Sequence, residues 1–154
     1  MLSSFITPQS IKIDLESTEK EECFAELLEV IVKKYPMIDR RCSLQALITR
    51  EDKKSTAIFP HIAVPHAVTD SVNGMALAIG ISKQGIPFDS VESEGKTEIV
   101  NIIFELFFEE KEMEVHLHAL RDVLRIANNP NFISEALKAT TSQEVYDLIV
   151  SLEY

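Results

Sequence analysis

Histidine is the residue type in this chain best equipped to carry a reaction. There are four, paired in two short segments: His61 with His66, and His116 with His118. An imidazole is nucleophilic near neutral pH, moves protons and ligates metals. His66 follows Ile62-Ala-Val-Pro65, an apolar run that reads as a strand ended by proline, so its ring is expected at the rim of a sheet where the chain leaves it. Sheet rims are where ligands and reactive groups gather, although a plain surface histidine at a strand end fits the same pattern.

The second pair separates by helical geometry. Met113, Leu117, Leu120, Leu124 and Ala127 form an apolar stripe. At about 100° per residue, His116 borders that stripe while His118 points to solvent. His116 can therefore face a neighbouring strand end and meet His66, or be a partly buried histidine bonded to backbone. Arg50 ends a helical stretch and precedes Glu51-Asp-Lys-Lys54, a charged segment of the kind that is usually a solvated loop. A guanidinium there could hold two phosphoryl oxygens at once, which lysine does less well. Ser55 and Thr56 are candidates for further hydrogen bonds or for a local cap. His61 is an accessory phosphate ligand or a loop histidine. Glu105, inside an apolar run, has no evident role.

Several chemistries are excluded. No Gly-rich phosphate loop, GxSxG elbow or HExxH helix is present. The net charge of -10, from 15 basic and 25 acidic residues, repels nucleic-acid phosphates and anionic lipid headgroups. Cys23 and Cys42 lack CxxC spacing and read as reduced thiols. There is no signal-peptide pattern and no apolar run of the roughly 18 residues a membrane span needs. The expectation is a soluble cytoplasmic protein, with no nucleic-acid partner and no membrane insertion.

The elements that must position these side chains follow from periodicity. Thr18-Glu-Lys-Glu21 has capping-box spacing ahead of an amphipathic helix carrying Phe24, Leu27, Leu28, Ile31 and Tyr35, closed by Pro36. Ser43 reads as the cap of a shorter helix ending near Arg50. Strands are expected at 11–13, at 62–64, at 75–81 before the Gln84-Gly85 turn, and at 99–108, the last rich enough in Ile, Val and Phe to be buried on both faces. Three helices follow, one on the Met113 stripe, one behind Pro130 carrying Phe132, Ile133, Ala136 and Leu137, and one behind the Thr141-Ser-Gln-Glu144 capping box. Helices, then strands, then helices predict an α/β protein, a three-layer α/β/α sandwich with a central mixed β-sheet, spanning residues 1–154 as one domain.

Arg50-Glu-Asp-Lys-Lys-Ser-Thr56, Ile62-Ala-Val-Pro-His66 and Val115-His-Leu-His-Ala-Leu120 together resemble the successive landmarks of the fructose/mannitol-type EIIA domains of the bacterial phosphoenolpyruvate-dependent sugar phosphotransferase system. The resemblance runs from about residue 8 to 152. It implies a phosphocarrier in which His66 accepts a phosphoryl group from phosphorylated HPr and passes it to an EIIB component for sugar uptake. It also implies that Arg50 and His116 bind the transferred group, with no cofactor or metal. In that scheme one ring nitrogen of His66 stays unprotonated while a backbone carbonyl holds the other. Many relatives carry Gly-x-Gly where this chain has Phe59-Pro60-His61, so a stiffer entry to the strand is expected. Three alternatives stay open: a regulatory, nitrogen-type EIIA acting through phosphorylation-dependent binding, a transfer-inactive interaction module, and a zinc site of His61, His66 and His116 with a carboxylate.

Overall fold

The apolar runs pair into one five-stranded sheet, and the amphipathic helices cover it from both sides. The computed structural model describes residues 1–153. Its elements are β1 (Ile11–Lys12), α1 (Lys20–Lys34), α2 (Arg40–Lys53), β2 (His61–Ala63), β3 (His66–Val68), β4 (Met75–Asp89), β5 (Thr97–Phe108), α3 (Met113–Ala127), α4 (Phe132–Lys138) and α5 (Ser142–Leu152). β4 and β5 form the antiparallel centre. β1 adds parallel to the outer side of β4, and β2 and β3 follow one another, both parallel, along the free side of β5. The sheet is mixed, as the sequence predicts.

Alternation along β5 divides the core. Ile102, Phe104, Leu106 and Phe108 face α3, α4 and α5. Ile103 and Phe107 face α1 and α2. Because both faces are covered from Val100 to Phe108, every residue of β5 there except Asn101 and Glu105 is apolar, the pattern of a strand buried on two sides. Glu105 belongs to the α1 side by this alternation, opposite the face of Leu106.

Four local expectations are corrected. The Thr18 capping box does not form: α1 begins at Lys20 with Glu19 as a cap that accepts no side-chain bond. Asp39, not Ser43, caps α2, accepting from the Cys42 amide at 3.0 Å. Ser43 is buried inside a helix that continues three residues past Arg50. β4 does not stop before Gln84-Gly85. It runs through them with an irregularity between Ile81 and Ile86, and Gly85 takes φ +89°. On α3 the buried residues are Ala119, Val123, Ile126 and Ala127, while Met113 and Leu117 stand exposed. The stripe is therefore rotated from the one expected, which brings His116 closer to the sheet.

No helix among the described residues is long and apolar enough to cross a membrane.

Candidate functional site

Proline shapes the centre of the site. Pro65 has no N–H to give to a ladder and separates β2 from β3. The strand pairing resumes at once: the Leu106 amide donates to the Pro65 carbonyl at 3.0 Å, and His66 lies opposite Leu106. The side chain of His66 therefore shares the face of Leu106 and Phe108 and looks toward α3.

His66 Nδ1–H donates to the Val64 carbonyl at 2.8 Å. A neutral imidazole with its proton on Nδ1 has its lone pair on Nε2. Burial pushes the His66 pKa below the ordinary histidine value, the Arg50 guanidinium and His116 push it the same way, and the Val64 carbonyl opposes them. The ring is held neutral, with Nε2 as its nucleophilic atom.

α3 supplies His116, whose pKa is also lowered by burial. Its ring stands edge-to-face with that of His66, centroids 5.9 Å apart. Its face lies on Phe108, centroids 3.8 Å apart and planes 13° from parallel. α2 supplies Arg50, whose Nη1 donates to the Lys54 carbonyl at 2.8 Å. This bond turns the guanidinium back along the helix end and leaves its remaining N–H groups unused by it. Arg50, His66 and His116 line one open cleft of about 1090 Å³, walled on the α2 side by Arg41, Gln45 and Lys53. Arg50, Arg41 and Lys53 outnumber the one lining carboxylate, Asp39, around the neutral rings, although the chain as a whole carries -10. The cleft can take an anionic group against Nε2 and surround it with donors.

Other candidates lie elsewhere. Thr56 is buried, and its amide and hydroxyl donate to Glu51 at 2.9 and 2.8 Å. Ser55 Oγ accepts from the Ala57 amide at 3.1 Å. Both hydroxyls thus serve the local turn that fastens the end of α2 to the start of the sheet. His61 is opposite Val100 on β5, whereas His66 is opposite Leu106. At about 3.3 Å per residue the two histidines are some 20 Å apart along the sheet. His61 is no accessory ligand of the cleft, and the three-histidine zinc site is not assembled. Among the described residues no cluster of three or more His, Cys, Asp or Glu side chains could hold a metal ion.

The stiff entry expected at Phe59-Pro60-His61 takes a left-handed turn all the same. His61 has φ +69°, the one such value at a non-glycine position among the described residues. Its Nδ1–H donates to Asn101 Oδ1 at 2.9 Å, and Asn101 Nδ2–H donates to the Ser82 carbonyl at 2.8 Å, a chain of bonds that ties the turn to the sheet.

Sequence reasoning missed Phe108. It sits at the end of a run in which every residue reads as core, and nothing in the pattern separates a ring that packs from one that supports a histidine.

Comparison with known proteins bears on the family and the fold. Residues 4–151 match the family model described as phosphoenolpyruvate-dependent sugar phosphotransferase system, EIIA 2. The fructose-specific EIIABC component of Bacillus subtilis is 30% identical over 148 residues, which are 96% of this chain and 23% of that protein. The chain thus spans under a quarter of that relative. The fructose-specific EIIA component of Haloferax volcanii is 28% identical, with 97% of this chain and 95% of that protein covered. Among solved structures, the nitrogen regulatory protein IIA-Ntr of Neisseria meningitidis superposes with a TM-score of 0.85 at 19% identity, covering 96% of this chain and 98% of that one. Enzyme IIA mannitol of Escherichia coli gives 0.77 at 20%, covering 94% and 98%. The shared fold and the match across nearly the whole sequence place this chain in the EIIA type 2 family of the phosphoenolpyruvate-dependent sugar phosphotransferase system.

Proposed function

We propose that this chain is a cytoplasmic phosphocarrier in which Nε2 of His66 takes a phosphoryl group from the phosphohistidine of HPr and gives it to an EIIB component. The observation that carries the reading is the bond from His66 Nδ1–H to the Val64 carbonyl, which leaves Nε2 unprotonated in a cleft that also holds Arg50 and His116. The Nε2 lone pair forms the new N–P bond as the donor's N–P bond breaks. The bonding pair returns to the donor imidazole, and no net proton transfer is needed. Charge gathers on the three equatorial oxygens, and Arg50 and His116 are the donors placed to meet it. The reverse sequence delivers the group to the acceptor.

The partner is a protein, and the rim of the cleft suits one. Val68 lines the cleft and is 47% exposed, and Met113 and Leu117, on the α3 turn that carries His116, are 59% and 64% exposed. An apolar rim around a buried polar centre excludes water from a docked interface. The enzyme IIA mannitol of E. coli has been solved in complex with phosphorylated enzyme IIB mannitol, a structure this chain matches with a TM-score of 0.77 at 20% identity. A regulatory use is the second reading: the nitrogen regulatory protein of E. coli is 22% identical over 153 residues. The fructose-specific names of the relatives at 30% and 28% identity favour sugar uptake.

The test is label transfer from phosphoenolpyruvate through Enzyme I and HPr. Wild type is expected to take up acid-labile label, His66→Ala none, and His116→Ala to be labelled more slowly. Folded wild type that stays unlabelled, or His66→Ala labelled like wild type, overturns the proposal.

A further inference from the structure

Phe108 is 1% exposed and closes the end of β5, where it meets both histidines of the cleft. Its ring is edge-on to His66, with centroids 6.3 Å apart and planes at 71°. Toward His116 it is face to face, at 3.8 Å and 13°. Burial alone asks for neither orientation. Two neutral rings prefer an offset or edge-to-face arrangement, because two negative π faces repel when stacked at close centroid distance. A positively charged ring over a π face reverses that preference, since the cation is drawn to the face. The parallel stack is the geometry that suits an imidazolium at His116, whereas burial in the unphosphorylated protein favours the neutral ring.

We propose that Phe108 is a positioning residue for phosphoryl transfer: its ring fixes the plane of His116 and favours the protonated form of His116 once a phosphoryl group arrives on His66. The inference deepens the phosphocarrier reading and rests on it. Held across the His66 ring at 67°, His116 cannot swing away from the cleft without unstacking. A phosphoryl group on Nε2 brings about two negative charges within reach of His116. That charge makes the imidazolium favourable, and the π face lowers the cost of forming it in a half-buried place. The other charged and titratable groups lining the cleft are His66 from β3, Arg41, Cys42, Arg50 and Lys53 from α2, and Asp39 at the cap of α2. They are unaltered by changes at Phe108.

Two variants separate a ring from mere volume. Phe108→Met fills the space without a π face, and Phe108→Tyr keeps the face. Stopped-flow phosphorylation by phosphorylated HPr is expected to be slowed about tenfold or more in Phe108→Met, as misplacement of a contacting group by a fraction of an ångström implies. Phe108→Tyr is expected to stay within about threefold of wild type. NMR titration of the histidine rings is expected to show a lower His116 pKa in Phe108→Met and little change in Phe108→Tyr. Wild type offers a readout that needs no variant: the ring protons of His116 must be shifted upfield by the phenyl ring current, in both the free and the phosphorylated protein. Phe108→Met that transfers at the wild-type rate, an unchanged His116 titration, or absent ring-current shifts overturn the inference. A wild type that accepts no phosphoryl group overturns the carrier reading and this role together, and the ring-current shift then tells whether the stack itself exists.

Discussion

Glu105 should make this protein lose stability as the pH rises, and replacing it should reverse the loss. The carboxyl is 0% exposed on the α1 side of β5, and neither of its oxygens has a hydrogen-bond partner. Burial holds its pKa well above the ordinary carboxylate value. The titratable group beside it is the buried Cys23 thiol of α1, itself pushed up by burial first and then by Glu105 and Glu26. An acid whose native pKa is raised contributes stability that is fully present below the unfolded value, about 4.3, and is lost as the pH climbs toward the native one. In that window the unfolded chain has released a proton that the native chain keeps, so each pH unit costs about 1.4 kcal/mol. Even when neutral, an unpaired buried carboxyl costs about 1–3 kcal/mol. Glu105→Leu removes both costs, and Glu105→Gln removes the pH slope while leaving a buried polar group. At pH 5 the Leu variant is expected to be more stable than wild type by the desolvation cost of about 1–3 kcal/mol plus about 1 kcal/mol for the proton that the unfolded chain releases above about 4.3. Above pH 5 its lead widens by about 1.4 kcal/mol per pH unit for as long as the native carboxyl keeps its proton. Urea unfolding followed by circular dichroism at pH 5, 6, 7 and 8 measures both differences. Parallel pH profiles for wild type and Glu105→Gln refute the claim that the native carboxyl keeps its proton, and a Glu105→Leu less stable than wild type refutes the desolvation argument.

Other sites give sharper local outcomes. Glu51→Ala strips the partners from the buried Thr56 amide and hydroxyl, and should lower stability by about 2–3 kcal/mol in thermal unfolding. Gly85→Ala puts a Cβ into Ile99 Cγ2 at φ +89°, a clash and a strained backbone together, and should cost about 2 kcal/mol or more. Glu26 bonds Lys12 at 2.8 Å and accepts from Ser17 and the Glu16 amide, and its pKa falls to about 2. Its contribution is present above the unfolded carboxylate value and lost as the pH falls toward 2, so Glu26→Gln should flatten the acid limb of the stability curve and leave the alkaline limb alone.

The layer order and the sheet were legible because their signals are periodic: α1 and α5 repeat at 3.6, and β5 is apolar on both faces. What was lost came from competition between signals that look alike locally. Thr18 and Ser43 are good caps by type, but Glu19 and Asp39 hold the cap positions, because packing of Cys23, Phe24 and Leu47 fixes where each helix starts. The α3 stripe was misplaced since Met113 and Leu117 are apolar without being buried, and a sequence does not distinguish an apolar core from an apolar rim. Gln84-Gly85 looks like a chain reversal, yet a bulge uses the same glycine conformation without ending the strand. In the site, His66, His116 and Arg50 stood out by type and context. The bonds of Thr56 to Glu51 and of Ser55 to Ala57 are local turn geometry that residue types alone do not specify, whereas the distance of His61 and the stack on Phe108 follow from how separate segments pair and pack, which no single segment contains.

The partner that sets the tautomer of His66 is a main-chain atom. Any residue at position 64 brings the same carbonyl, so no side-chain substitution there deletes the bond, and altering it takes a change in the path of the backbone. The proline that follows helps to hold that path. Heredity can rewrite most of the side chains around such a device without touching it. The position of the His66 proton is therefore tied to the course of the strand and not to the identity of residue 64.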